Sequence, residues 1–370
     1  MDLASVFCPN LECPARGQTG QGNISIHSRQ EQRLICTQGR KTFTATKGTA
    51  FYRLRTPAET VSLGLTLLAH GCPLQASVVA FGLDERTVAA WFTRAGRQAQ
   101  AVQEPLVEQP RERGQVQAEE IRVKQQGKVS WRALALTVGT RLWLAGEVSE
   151  QRDLGLVRPL LARVRRCAAR RPLLVCTDGV RAYPRALREA FRDRLSTGKP
   201  GRPYLQPWKL LSIAQVVKHY VQRRVVSVER RILAGTAAQV EKIRRRSPGG
   251  AGVINTAYIE RLNATFRERL AALTRRHRAL ARKRSPREYG MYLIGAVYNF
   301  CTAHESLRVA AAGSQPALDC TPARAARITT PCWSVGELLS FHVPPPRWIP
   351  PTRRGRPSRA LQRVIARWCM

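Results

Sequence analysis

Acidic residues are scarce in this chain. Its 370 residues include 25 Asp and Glu against 62 Lys and Arg, which gives a formal net charge of +37. Such an imbalance predicts a polyanionic partner, although nucleic-acid-binding, ribosomal and membrane-surface proteins all share it. Hydrophobic residues still make up 44% of the sequence, so we expect a folded core rather than a disordered chain. A chain of this length has room for two or three domains.

Other absences narrow the class of protein. No stretch approaches the ~20 continuous apolar residues that a transmembrane helix needs, so we expect no membrane partner. The start, MDLASVFCPN, lacks a cationic segment followed by an apolar run, so no signal peptide is expected. The ten cysteines are scattered rather than spaced as a disulfide framework. These features together predict a cytoplasmic protein with reduced thiols.

The basic excess is concentrated in the last two thirds of the chain. Residues 1–114 carry 13 basic and 9 acidic residues, whereas residues 115–370 carry 49 and 16. A basic excess along a folded segment suits a groove that neutralises many phosphates. Arg outnumbers Lys there, which fits bidentate contacts to phosphate. Nucleic acid is therefore the favoured partner, and the segments described below narrow this prediction to double-stranded DNA.

Residues 1–50 have the pattern of a small zinc-ribbon-like module. Cys8 and Cys13 lie in CPNLEC, and Cys36 follows the strand-like RQEQRLIC. A fourth ligand near position 39 would complete a zinc ribbon, but that residue is Gly39. Two interpretations remain open: zinc with His27 or water as the fourth ligand, or a ribbon-shaped fold whose three thiols hold no metal.

Residues 51–100 have the pattern of a helix-turn-helix DNA-binding domain. Pro57 stands at the favoured first position of a helix, and a second short helix is expected to stop at Gly82. Asp84 then caps a third helix, which in such domains enters the major groove. An ordinary three-helix packing unit is the alternative, but the GLDERTVAAW turn and the basic residues after it favour DNA binding. The side chains expected to contact DNA are Arg86, Thr87, Arg94 and Arg97.

Strand and helix patterns alternate over residues 115–310, after a polar segment with two prolines at residues 101–114 that predicts a linker. Three strand patterns come first, then a helix, the strand RPLLVCTD and a second helix. This is the order of an RNase H-like α/β domain with a mixed sheet, although fold order alone does not establish function. The predicted fold class is an α+β multidomain protein: a ribbon-like module, a helix-turn-helix and an RNase H-like domain.

Three acidic residues stand where such a domain would use them. Glu119 lies in the first strand, Asp178 ends the fourth, and Glu260 lies in the helix INTAYIERLNATFRERLAAL. Asn263 and Arg267 fall on the same flank of that helix as Glu260. Carboxylates from two strands and a helix can hold two Mg2+ ions, for which Mn2+ substitutes, and so activate a phosphodiester. The alternative for each acid is a solvated or ion-paired side chain; it is strong for Glu119 and weaker for Asp178.

Two further basic segments complete the chain. Residues 221–252 carry Arg223-Arg224 and Arg244-Arg245-Arg246, and either line a DNA channel or form a hairpin and helix on the surface. Residues 311–370 form a predicted proline-rich basic tail, with seven Arg and no acid from residue 341 onward. Its RRGRP sequence is similar to an AT-hook, which lies in the minor groove of A·T-rich DNA. The hook residues expected to contact DNA are Arg353, Arg354 and Arg356. The weaker Gly201-Arg202-Pro203 repeat is not expected to act as a hook.

These segments together resemble a known family. QAEEIRVK, VCTDGVRAY, KHY and IERLNATFRERL resemble the insertion-sequence-one-like DDE transposases, in a bacterial subgroup with a zinc-ribbon start and a VPPPRW…RRGRP tail. The resemblance implies binding to the element ends, Mg2+-dependent DNA cleavage and joining to a target, a homo-oligomer, and a nucleoid-associated location in the bacterial cytoplasm. It matches Asp178 and Glu260 to the second and third catalytic acids, and Asn263 and Arg267 to their supporting residues.

The sequence departs from that family at two positions. The first catalytic position is Asp followed by Glu in the family, and here it is Glu119-Glu120. Strand alternation directs Glu120 to the opposite face, so Glu119 is the residue expected to serve. Gly39 replaces the fourth ribbon cysteine. A catalytically inactive remnant that only binds DNA is therefore the alternative function, whereas a general RNase H-like nuclease leaves the helix-turn-helix and the tail unexplained.

Overall fold

A computed structural model describes most of the chain and divides it into two compact units. The first is Met1–Val61 with Leu339–Met370, and the second is Ser62–Leu338. The residues described are 3–125, 128–195, 204–222, 224–250, 252–274, 284–309, 317–343, 345 and 355–368. No helix among them is long and apolar enough to cross a membrane.

The secondary structure is mixed, which confirms the α and β content that the sequence predicts. The helices are α1 (Ala58–Ala69), α2 (Leu74–Phe81), α3 (Glu85–Leu106), α4 (Leu154–Cys167), α5 (Ala182–Ala190), α6 (Ala237–Arg246), α7 (Ala257–Thr274), α8 (Arg284–Phe300), α9 (Pro322–Ala325), α10 (Val335–Ser340) and α11 (Arg359–Trp368). The strands are β1 (Ile24–Ser28), β2 (Arg33–Cys36), β3 (Lys41–Thr44), β4 (Gln115–Gln125), β5 (Lys128–Thr137), β6 (Trp143–Ser149), β7 (Leu173–Asp178), β8 (Arg192–Leu195), β9 (Tyr204–Pro207), β10 (Leu211–Val221) and β11 (Arg224–Ala234). Two 3-10 turns lie at Leu3–Ser5 and Glu305–Leu307.

The first unit is built on a small antiparallel sheet in the order β1-β2-β3. Its core contains Leu34 and Phe43 together with three buried cysteines. A segment from the other end of the chain packs against this module. The Ala50 amide donates to the Leu339 carbonyl at 3.0 Å, and the His342 Nε2 atom lies 2.9 Å from the Ala45 carbonyl. Residues more than 280 apart in sequence therefore belong to one unit.

The helices α1 to α3 lie where the helix-turn-helix pattern predicts them. Gly82 ends α2 in the left-handed conformation with φ 60°, and the Asp84 side chain caps α3 by accepting from the Arg86 amide. The prediction of a linker from residue 101 is wrong at its start, because α3 continues to Leu106 and buries Val102. Its second half packs against α8 so closely that a Cβ at Gly96 would lie 2.4 Å from the Tyr289 Cβ.

A six-stranded sheet is the centre of the second unit, in the order β11-β10-β7-β4-β5-β6. β4, β5 and β6 form an antiparallel meander, and β7 and then β10 add to it in parallel. The predicted order of three strands, a helix, a strand and a helix is found in β4 to α5. The sequence reasoning missed β10. Residues 221–252 contain a hairpin strand and a helix, as one of the two interpretations predicted: β11 is a largely exposed edge strand paired with β10, and α6 buries Val240 and Ile243 against the sheet.

The tail is shorter than its predicted extent of residues 311–370. Residues 317–338 pack in the second unit, where the Trp333 ring stacks on Phe300 at 4.9 Å and its amide donates to the Phe300 carbonyl. Thr321 caps α9, which begins with Pro322, so this segment carries ordinary helix-start signals. Of the hook, Gly355 has φ +99° and Arg356 is exposed. Arg353, Arg354 and the 201–203 repeat lie outside the described residues.

Candidate active site and metal centre

Two neighbouring strands bring Glu119 and Asp178 together. β4 and β7 run parallel, and Ala118 pairs with Thr177, so the next residue on each strand is a carboxylate at the same level of the sheet. Asp178 is also the last residue of β7, which places its carboxylate at the end of the strand. The parallel register explains why two acids 59 positions apart lie side by side.

The helix α7 brings Glu260 to the same place. The Gln117 Oε1 atom accepts hydrogen bonds from the Tyr258 and Ile259 amides, each at 3.0 Å. Gln117 is fully buried on β4, two residues before Glu119 and therefore on the same face of that strand. The first turn of α7 has unpaired amides that need acceptors, and Gln117 supplies one. This side chain fixes Glu260 relative to Glu119, and no sequence pattern pointed to it.

The three predicted acids line one cavity of about 270 Å³. The other polar side chains in its wall are Arg152, Lys218, Tyr220 and Thr256. A second cavity, of about 540 Å³, lies towards the opposite end of the sheet, and Glu112 is the acid in its wall. The smaller cavity is the candidate active site because carboxylates converge there.

The surroundings of Glu119 raise its pKa strongly. Burial, followed by the charges of Glu260 and Asp178, raises the pKa of Glu119 to about 7. The Asn263 side-chain amide donates to Glu119 Oε2 at 2.8 Å and acts in the opposite direction. Burial also raises the pKa of Asp178, against the Val180 amide and the charge of Arg152. The cavity therefore concentrates negative charge that the protein itself balances only in part.

Two basic side chains pair with cavity acids, and the sequence reasoning did not select them. The Lys218 ammonium lies 2.6 Å from Glu260 Oε1, which also accepts from the Thr256 hydroxyl at 2.6 Å. Arg152 Nη2 lies 3.1 Å from Asp178 Oδ2 and 3.1 Å from Glu120 Oε2. Lys218 belongs to the KHY sequence on β10, whereas nothing around Arg152 distinguishes it from the other arginines.

The remaining predicted residues are distributed over the surface. Arg267 is exposed and does not line the cavity, so the structure does not bring it to the acids. At the start of α3, Arg86 is exposed and Thr87 half-buried. Arg94 is half-buried, and the Arg97 guanidinium lies over the Tyr289 ring at 5.3 Å. Of these four side chains, Arg86 and Arg97 are therefore the exposed ones.

Cys8, Cys13 and Cys36 form a buried cluster that could bind a metal such as zinc. Their three sulfur atoms lie within 4.8 Å of one another, and the Sγ atoms of Cys13 and Cys36 are 3.6 Å apart. Burial raises the pKa of Cys8 to about 12, whereas hydrogen bonds from the Gly39 backbone and the neighbouring thiols outweigh burial at Cys36 and lower its pKa. His27 is exposed and outside the cluster, so the prediction of His27 as a ligand is wrong.

Gly39 lies directly beside this cluster, and its amide donates to Cys36 Sγ at 3.3 Å. A Cβ built there would be 3.0 Å from Cys13 Sγ and 3.7 Å from Cys36 Sγ. The sequence spacing that places the missing ligand at position 39 therefore agrees with the geometry.

In sequence comparison, no known protein family and no curated protein matches this chain.

Proposed function

We propose that this protein is a transposase that binds the ends of an insertion sequence and catalyses Mg2+-dependent DNA cleavage and strand transfer. One observation carries the proposal: carboxylates from β4, β7 and α7 meet in a single cavity whose rim also carries cations. The strand order, with β7 and β10 added in parallel to a three-stranded meander, is compatible with an RNase H-like domain. The net charge of +37 agrees with a DNA partner.

The acids of the cavity fit divalent metal. Glu119, Asp178 and Glu260 offer only oxygen ligands, which Mg2+ prefers, and their mutual repulsion favours a divalent cation. When bound, two Mg2+ ions polarise the phosphodiester and activate water or a 3′-hydroxyl. Asn263 holds the Glu119 carboxylate, and Thr256 holds that of Glu260. Lys218 and Arg152 supply positive charge at the position where a phosphate backbone enters.

Other segments supply DNA recognition in this proposal. The exposed start of α3, with Arg86 and Thr87, reads the element ends, and the basic tail contributes affinity for A·T-rich DNA. The cysteine cluster holds zinc with water as the fourth ligand, and so stabilises the small sheet. Joining two element ends requires two copies, so the working form is a homo-oligomer.

One assay distinguishes this proposal from the alternative of a DNA-binding remnant. Purified protein is incubated with Mg2+ and with DNA that carries the sequences flanking its own gene, and strand cleavage is measured on a denaturing gel. Cleavage by the parent, and none by Asp178→Asn at equal DNA affinity, supports the transposase. Binding to the ends without cleavage under Mg2+ or Mn2+ supports the remnant.

A further inference from the structure

The Arg152 guanidinium is shared between an acid inside the cavity and an acid outside it. Arg152 lies in the loop between β6 and α4, and its Nη2 atom donates to Asp178 Oδ2 and to Glu120 Oε2, each at 3.1 Å. The guanidinium also lies 4.9 Å from the centre of the Trp131 ring. Glu120 is next to Glu119 in sequence but does not line the cavity.

The two halves of this bridge differ in burial. The Glu120 side chain is 0% exposed, whereas Asp178 is 25% and Arg152 37% exposed. Within the described part of the chain, Arg152 is the only ion-pair partner of Glu120. Loss of its cation would leave Glu120 as an uncompensated buried charge, which is strongly unfavourable, whereas Asp178 can be solvated at the rim. The pair with Glu120 is therefore the one that persists when another cation reaches Asp178.

We propose that Glu120 positions Arg152 at the mouth of the cavity. Before a divalent cation binds, Arg152 is the counterion of Asp178; after the cation has bound, Arg152 contacts the DNA phosphate. This inference rests on the proposed function, since it takes Asp178 as a metal ligand. A divalent cation at Asp178 repels the guanidinium, and the buried Glu120 retains it nearby. The planar fork of Arg suits two phosphate oxygens at once. Glu120 is thus a positioning residue that acts through Arg152.

The test measures Mn2+ affinity of the full chain without DNA, from the electron paramagnetic resonance signal of the free ion. Four proteins form a double-mutant cycle: the parent, Glu120→Gln, Arg152→Gln and the double variant. Removing Arg152 removes a competing cation, so Mn2+ should bind about fivefold more tightly, as expected for a partly exposed ion pair. Glu120→Gln leaves the guanidinium on Asp178 alone, so Mn2+ should bind about fivefold more weakly.

The decisive comparison is the effect of Glu120→Gln on Mn2+ affinity in the presence and in the absence of Arg152. When Arg152 has been replaced, the same substitution should change Mn2+ affinity by less than about twofold, because Glu120 then has nothing to position. An equal effect in both backgrounds would overturn the inference, since Glu120 would act through its own charge. Arg158→Gln is the matched control: it removes a cation paired with Glu189 outside the cavity and should leave Mn2+ affinity unchanged.

Two further variants test the metal site and the phosphate contact separately. If Asp178→Asn and the parent bind Mn2+ equally, the proposed metal site itself fails, which is distinct from failure of the Glu120 role. Arg152→Lys retains the charge and the pairing of Glu120 but loses the fork. It should keep Mn2+ affinity near that of the parent and weaken DNA binding about fivefold in Ca2+, which fills the site without cleavage. Unchanged DNA affinity of Arg152→Lys would refute the phosphate contact.

Discussion

Replacing Glu119 with Gln should make the metal-free protein more stable and abolish the proposed chemistry. Glu119 is held close to Glu260 and Asp178, and burial with these two charges raises the pKa of Glu119 to about 7. A carboxyl whose folded-state pKa is raised resists ionisation in the folded protein, so its ionised form reduces the free energy of unfolding. Gln keeps the shape and the Asn263 contact but cannot ionise.

The size and sign of this effect follow from the pKa. A rise from the ordinary value of 4.5 to about 7 corresponds to a cost of roughly 3 kcal/mol once Glu119 is ionised. Below pH 4.5 the folded and unfolded carboxyls are both protonated, and the cost is absent. Between pH 4.5 and about 7 the folded state binds more protons than the unfolded state, so stability falls as pH rises. Above that range the full cost remains.

Urea denaturation of parent and Glu119→Gln at pH 5 and pH 8, with a chelator present, measures this difference. The variant should gain little at pH 5 and a few kcal/mol at pH 8. Adding Mg2+ at pH 8 should stabilise the parent and not the variant, since a ligand stabilises only the state that binds it. Asn263→Ala is a useful comparison, because it removes the hydrogen bond that favours ionised Glu119 and should lower stability at pH 8. A Glu119→Gln protein no more stable than the parent at pH 8 would refute this reasoning.

Four other changes to the protein test further parts of the proposal. Gly39→Cys should slow zinc loss to a chelator at least tenfold, because it adds a fourth thiolate beside Cys13. Equal rates of zinc release from the parent and the variant would count against the metal site. Replacing Arg86 and Thr87 with Ala should reduce discrimination between element ends and random DNA in a gel-shift titration, whereas removing residues 353–370 should weaken binding to both DNAs and flatten the salt dependence. An equal loss of affinity for both DNAs in the Arg86/Thr87 variant would contradict the assignment of sequence recognition to α3. Gln117→Leu should lower cleavage at least tenfold while DNA affinity is retained, because the start of α7 loses its acceptor and Glu260 shifts; normal cleavage would show that α7 is held by other contacts.

The acids could be found from the sequence because their local patterns are strong. RPLLVCTD contains a short buried strand that ends on Asp178, and the apolar spacing of α7 puts Ile259 and Phe266 inside and Glu260 on a flank. Both patterns depend on residues a few positions apart. The caps at Gly82 and Asp84 were predictable for the same reason.

The surroundings of the acids could not be found in this way, because their contacts span large sequence separations. Arg152 meets Asp178 across 26 residues, Lys218 meets Glu260 across 42, and Gln117 meets Tyr258 across 141. A lone Gln or one Arg among many has no local signature, since its role depends on which strands become neighbours. The same limit applies to α3: a polar segment with prolines resembles a linker until α8 packs against it.

The sequence differs at Gly39 and Glu119 from the transposases that it resembles, and the two differences have different physical consequences. At Gly39 the ligand is absent, and no neighbouring residue among those described replaces it. At Glu119 a carboxylate is still present in the cavity, and its longer side chain meets the Asn263 amide at 2.8 Å. Shortening that chain by one methylene would move the carboxylate by about 1.5 Å, the length of one carbon–carbon bond, which exceeds the tolerance of that hydrogen bond. Glu119 and Asn263 therefore match each other in length. Glu in place of Asp at the first acid is thus weak evidence for an inactive remnant, whereas the missing cysteine at position 39 is strong evidence against a four-thiolate zinc site.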